Sequence, residues 1–147
     1  MKYSQASLGR VFIVKLENGE VVHEAIERIA EAERILAGVV FIVGGIGKDS
    51  TLVVGPVDGD VRPITVMERT LSDPHEVTGV GTLLSTENGK PVLHMHLSAG
   101  RADESVTGCI RRGVRVWGVL EATVIEFTGS AALKSYEKDM DNYMLQI

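Results

Sequence analysis

Only one stretch of this chain repeats at the helical period; its other apolar residues come in short runs or alternate in twos. Over residues 20–36, Val22, Ala25, Ile26, Ile29, Ala32 and Leu36 fall on one helical face, and Glu24, Glu27, Arg28, Glu31 and Arg34 cover the rest. Asn18 is placed to cap the start of that helix, and Gly38 to supply the left-handed residue that ends it. Around the helix lie many strand-like runs at hairpin spacing. That combination predicts an α+β fold, a largely antiparallel sheet with one main amphipathic helix. With 147 residues and no repeat or linker, the chain reads as a single domain over 1–147, long enough to bury roughly two-thirds of its unfolded surface. Aromatic residues are scarce, so the core is expected to be built from β-branched layers.

The runs follow in order. Residues 8–16 hold Val11-Phe12-Ile13-Val14 and end in the turn chemistry of Glu17-Asn18-Gly19-Glu20. Residues 38–43 are continuously apolar, which predicts a strand buried on both faces. Strands at 51–57 and 61–68 flank the hairpin turn Asp58-Gly59-Asp60. Pro74 argues against a central strand in the loop 70–75. Residues 76–85 carry Gly79 and Gly81, the mark of a bulge or of another backbone passing close. Glu87-Asn88-Gly89-Lys90 turns the chain into 91–98; a polar loop is expected over 100–113, a closing strand over 114–127, and a last short strand at Tyr143-Met144-Leu145.

The chemistry gathers in Pro91-Val92-Leu93-His94-Met95-His96-Leu97-Ser98. Leu93, Met95 and Leu97 point one way, and Val92, His94, His96 and Ser98 the other. Two histidines at i and i+2 share a strand face, roughly 6.5–7 Å apart along the backbone. Imidazoles at that separation can lean onto one metal ion, with the thiolate of Cys109 as a soft third ligand. A polar outer face with two histidines, beside a small buried cysteine, remains the alternative. His23 lies beside the helical stripe and reads as a boundary residue. Gly44-Gly45-Ile46-Gly47-Lys48-Asp49-Ser50 is not a phosphate loop: Ile42 stands where a glycine is needed and Asp49 where Ser or Thr is needed. Nor does it have dinucleotide-binding spacing, because Ser50 holds the last glycine position. These glycines fit a bend or close strand packing.

Charge and cysteine usage exclude other classes. A net charge of -5 gives no general attraction to nucleic acid or anionic membranes. One cysteine excludes an intrachain disulfide and fits a reducing compartment. The start, Met1-Lys2-Tyr3-Ser4-Gln5, lacks a signal peptide's apolar core, and no uncharged apolar run reaches transmembrane length. A cytoplasmic protein without membrane association is expected.

The order of landmarks resembles the plant-and-prokaryote conserved (PPC) domain. The resemblance rests on Gly9-Arg10-Val11-Phe12, Gly19-Glu20, Ala37-Gly38-Val39-Val40, Gly44-Gly45-Ile46-Gly47, Gly79-Val80-Gly81 and Leu93-His94-Met95-His96, and runs over about 9–127. It implies a compact α+β domain assembling as a homotrimer, with the histidine pair and a third histidine from a Gly-Gly-His-Leu segment as its metal site. Here Thr107-Gly108-Cys109-Ile110 stands in that segment's place. The change from imidazole to thiolate favours zinc over magnesium or manganese. Plant members of the family join the domain to AT-hooks, which need an Arg-Gly-Arg core to enter the minor groove. This chain has none, which makes nucleic acid a doubtful partner. Its one basic cluster, Arg111-Arg112-Gly113-Val114-Arg115, is small; a solvated loop, or a grip by Arg111 and Arg112 on a small anionic ligand beside the metal, accounts for it.

Three functional classes stay open on this reading. A trimeric zinc-binding interaction or regulatory module ranks first. A small zinc enzyme ranks second, with His94, His96 and Cys109 as ligands, a water in the open position, and Asp103, Glu104 or Glu121 as candidate bases. A DNA-binding protein ranks third.

Overall fold

The computed structural model describes every residue, Met1–Ile147. The helical stretch forms α1 (Val22–Ala32), and Val22, Ala25, Ile26 and Ala30 are its buried side chains. Burying the valine and isoleucine alone contributes about 3–6 kcal/mol to docking. The helix is shorter than its sequence pattern, and both expected caps lie elsewhere. Val21 stands at the N-cap without a side-chain hydrogen bond, while Asn18 Oδ1 accepts from the Gly118 N–H at 2.9 Å. The helix stops at Arg34, which is left-handed at φ 55°, and the Ile35 N–H donates back to the Ala30 carbonyl at 2.8 Å. Ile35 is buried, and its apolar anchoring sets the C-terminus in place of a glycine. Gly38 belongs to the next strand.

Ten strands surround the helix: β1 (Ser7–Glu17), β2 (Ala37–Ile46), β3 (Thr51–Pro56), β4 (Val66–Thr70), β5 (His75–Ser85), β6 (Pro91–Arg101), β7 (Glu104–Cys109), β8 (Val116–Thr128), β9 (Leu133–Glu137) and β10 (Asn142–Gln146). Eight form one sheet in the order β1-β8-β2-β5-β6-β7-β3-β4, and β9 and β10 pair separately as a hairpin. All the paired ladders are antiparallel. The fold is thus the expected antiparallel sheet with one helix, more heavily sheet than helix. No helix is long and apolar enough to cross a membrane.

The sheet has two unlike faces. Val40, Ile42, Leu83, Met95, Leu97, Leu120, Ala122 and Val124 form the core together with the helix. Directly opposed residues share a face, so the ladders define rows across the other side. One row runs Ile13, Thr123, Phe41, Val80, His96 and Cys109. Beside it runs Val11, Ile125, Val39, Thr82 and His94. Val11, Ile13, Phe41, Val43 and Val80 are exposed there, Ile13 at 80%. The expectation that 38–43 is buried on both faces is therefore corrected. Val40 and Ile42 join the core on one side of β2, and Phe41 and Val43 stay exposed on the other.

β5 lets β6 approach closely. A Cβ at Gly81 would lie 2.7 Å from the Met95 Cβ and 2.9 Å from the His94 carbonyl oxygen, so only glycine fits without displacing the histidine strand.

Candidate metal centre

β6 alternates as its sequence predicts: Leu93, Met95 and Leu97 are buried, His94 is half-buried and His96 is exposed on the opposite side. The helix secures this strand where it lacks a partner on one edge, since the Leu93 N–H donates to Glu27 Oε1 at 2.8 Å. Cys109 departs from the sequence reading. It is not in a loop; β6 extends to Arg101, β7 returns along it, and Cys109 stands directly opposite His96. Gly108 makes room for the neighbouring β3, because a Cβ there would meet the Val53 carbonyl oxygen at 2.7 Å.

Three donors thus converge from two adjacent strands. His94 Nε2 and His96 Nε2 are 3.2 Å apart, and one donor atom each from His94, His96 and Cys109 lie within 4.8 Å of one another. Tetrahedral zinc, with bonds of about 2.0–2.3 Å to nitrogen and sulfur, sets its ligands roughly 3.3–3.7 Å apart. The imidazole pair already meets that spacing, and the cysteine sulfur lies within 4.8 Å of both rings' donor atoms. Without metal, one imidazole N–H donates to the other ring's nitrogen, and a cation would replace that shared proton. Two imidazoles and a thiolate suit zinc, and they leave one tetrahedral position for another ligand.

The electrostatic setting is positive. Burial, first, and then the charges of Lys134, His96 and Arg111 push His94 down to about 4, so at neutral pH it is the neutral imidazole that a metal requires. Burial also lowers the Lys134 ammonium, against an opposing pull from Cys109. Lys134 comes from β9, beyond the main sheet; its backbone bridges Thr86 at the end of β5. No motif in the mixed tail points to it, because only the folded hairpin brings it within electrostatic reach of His94.

The other residues singled out from sequence are placed as follows. Arg111 is half-buried and within electrostatic reach of His94. Arg112 Nε pairs with Glu68 Oε1 at 2.8 Å. Glu121 shares the open face, but two strands lie between it and β6: the line from it runs through Val43 and Thr78 to Ser98, three steps or roughly 14 Å at ordinary strand spacing. Asp103 and Glu104 sit at the far β6–β7 turn, where Arg101 pairs with Glu104, five residues past His96. None of the three carboxylates joins the cluster. The His75 Nδ1 lies 2.8 Å from the Asp73 carbonyl oxygen, away from the cluster.

Residues 3–128 match the Plants and Prokaryotes Conserved (PCC) domain. The chain belongs to this family. Among curated proteins none matches it. Solved structures share the PCC fold. A metal-containing protein from Archaeoglobus fulgidus is 22% identical with a TM-score of 0.82, and the match covers 100% of both chains. A plant- and prokaryote-conserved protein from Pyrococcus horikoshii is 19% identical with a TM-score of 0.84, over 100% of this chain and 98% of that one. A candidate DNA-binding protein from Bacteroides thetaiotaomicron is 20% identical with a TM-score of 0.75, over 96% of each chain. At such identities the likeness is one of fold.

Proposed function

We propose that this PCC domain is a homotrimeric zinc-binding module with a regulatory or interaction role, its metal held by His94, His96 and Cys109. The observation that carries the reading is the convergence of three donor atoms within 4.8 Å on adjacent strands, each donor fixed by sheet register rather than by a free loop. The metal-containing description of the Archaeoglobus fulgidus structure points the same way. Assembly is supported by the open face, where Val11, Ile13, Phe41, Val43 and Val80 form neighbouring rows of exposed apolar side chains. Contiguous patches of this kind mark protein contacts, and the number three comes from the family resemblance.

A second reading is a small zinc enzyme, favoured by the one position that three protein donors leave open. Bound zinc would supply a Lewis acid and a water of pKa about 7. The chain's own part would be to hold neutral imidazoles on a rigid strand and to surround the open position with positive charge.

Elemental analysis of protein purified without an affinity tag, joined to light scattering in dilute neutral buffer, tests the first reading. One zinc per subunit and three subunits per particle are expected. Folded protein that takes up no added zinc overturns the metal, and a stable monomer overturns the assembly. A hydrolytic activity abolished by chelation and restored by zinc would promote the enzyme.

A further inference from the structure

Lys134 is 3% exposed, yet it takes part in none of the chain's ion pairs. Its stem is buried while its ammonium, bonded to no protein group, stays open to solvent or a ligand. The titratable groups within its electrostatic reach are His94, on which Arg111 also acts, and Cys109. Arg111 is likewise in none of the ion pairs, in contrast to Arg112, which is held by Glu68. A zinc ion and one thiolate would leave one positive charge at the cluster, and two cations without counter-ions stand beside it. Lys134 also lies outside residues 3–128, the part that matches the family; it reaches the site on the β9–β10 hairpin, which bridges to β5 through Lys134 and Thr86.

We propose that Lys134, seconded by Arg111, forms an oxyanion grip beside the open metal position, so that the site's ligand is a small carboxylate. One carboxylate oxygen takes the open position, and the other accepts a hydrogen bond from the lysine ammonium. This rests on the metal reading above and names the ligand class for that site. The buried stem of Lys134 holds its charge where a surface lysine would be free to leave, and Arg111 supplies a second, planar donor.

The test uses the full chain loaded with cobalt(II), whose ligand-field spectrum reports both uptake and ligand exchange. Acetate and imidazole are titrated as probes, one charged and one neutral, for the same position. Lys134→Met should keep one cobalt per subunit and its imidazole affinity while losing acetate affinity tenfold or more. Lys134→Arg should stay within about threefold of the wild type for acetate. Unchanged acetate affinity in a folded Lys134→Met overturns the grip, and so does a parallel loss of acetate and imidazole, which would mark a merely structural lysine. A wild-type chain that shows no cobalt spectrum before any acetate is added overturns the metal reading itself, an outcome distinct from failure of the lysine.

Discussion

His94 and His96 are held by their strand, whereas Cys109 reaches them across a ladder, and their substitutions should differ accordingly. His94→Ala or His96→Ala should lose zinc, Cys109→His should retain it, and Cys109→Ser should weaken it; changes at Thr107 and Arg111 should alter zinc affinity little. Zinc content across assembled variants decides this, and full occupancy in a folded His94→Ala/His96→Ala double variant would sink the assignment. The histidine pair was legible in the sequence because period two is a local property. The opposition of Cys109 to His96 was not, because it depends on which residue β7 sets against β6, and register is fixed by tertiary pairing. A second residue-level prediction concerns Glu126. Arg10 donates its Nε–H at 2.8 Å and its backbone N–H at 3.0 Å to Glu126 Oε2, and these side-chain and backbone hydrogen bonds, in that order, hold the carboxylate down at about 2 from 4.5. A depressed carboxylate stabilises fully above its unfolded value and loses that contribution as protons return. The stabilisation should therefore fade as pH falls from about 4.5 toward 2. Arg10 is half-exposed, so solvent screens the pair and its contribution is small. Glu126→Gln should flatten the acid limb of the unfolding curve in that window; an unchanged limb would show that the pair contributes nothing.

At the level of elements, the helix and most strands followed from periodicity, and the failures have identifiable causes. β7 read as loop because, before the Cys109 at its end, Val106 is its sole apolar side chain, and half of the strand's residues are exposed. The helix ended early because a buried Ile35 closes it through a left-handed arginine, a solution that local composition does not advertise. β2 read as doubly buried because a continuous apolar run does not tell whether the chain itself covers one face or both. The spacing between elements yields its own prediction. Gly81→Val should cost about 1–3 kcal/mol by overpacking and should weaken zinc binding without touching a ligand, since the new side chain would push on Met95 and the His94 carbonyl. Gly100→Ala, on the histidine strand with open space around its would-be Cβ, should leave both within error. Paired chemical denaturation and zinc titration compare the two; equal effects would mean that the β5–β6 approach is slack.

For the whole molecule, the apolar rows predict that Ile13→Asp or Phe41→Asp dissociates the assembly while leaving each subunit folded. Light scattering with circular dichroism reads this directly, and assembly undisturbed by both would move the interface to another face. The charge distribution predicts no sequence-specific DNA retention at physiological salt, given a net charge of -5 and an Arg112 committed to Glu68. Retarded duplex at sub-micromolar protein, lost steeply with added salt, would reverse that conclusion. The row from Ile13 through Phe41 and Val80 to His96 and Cys109 has one more consequence. It places the exposed apolar rows and the proposed metal donors on a single stretch of sheet, six strands wide. Copies meeting on that face would make occupancy and association two readings of one equilibrium. Linkage is reciprocal, so whatever factor the metal adds to assembly, assembly must return in metal affinity, and dilution alone would loosen the ion.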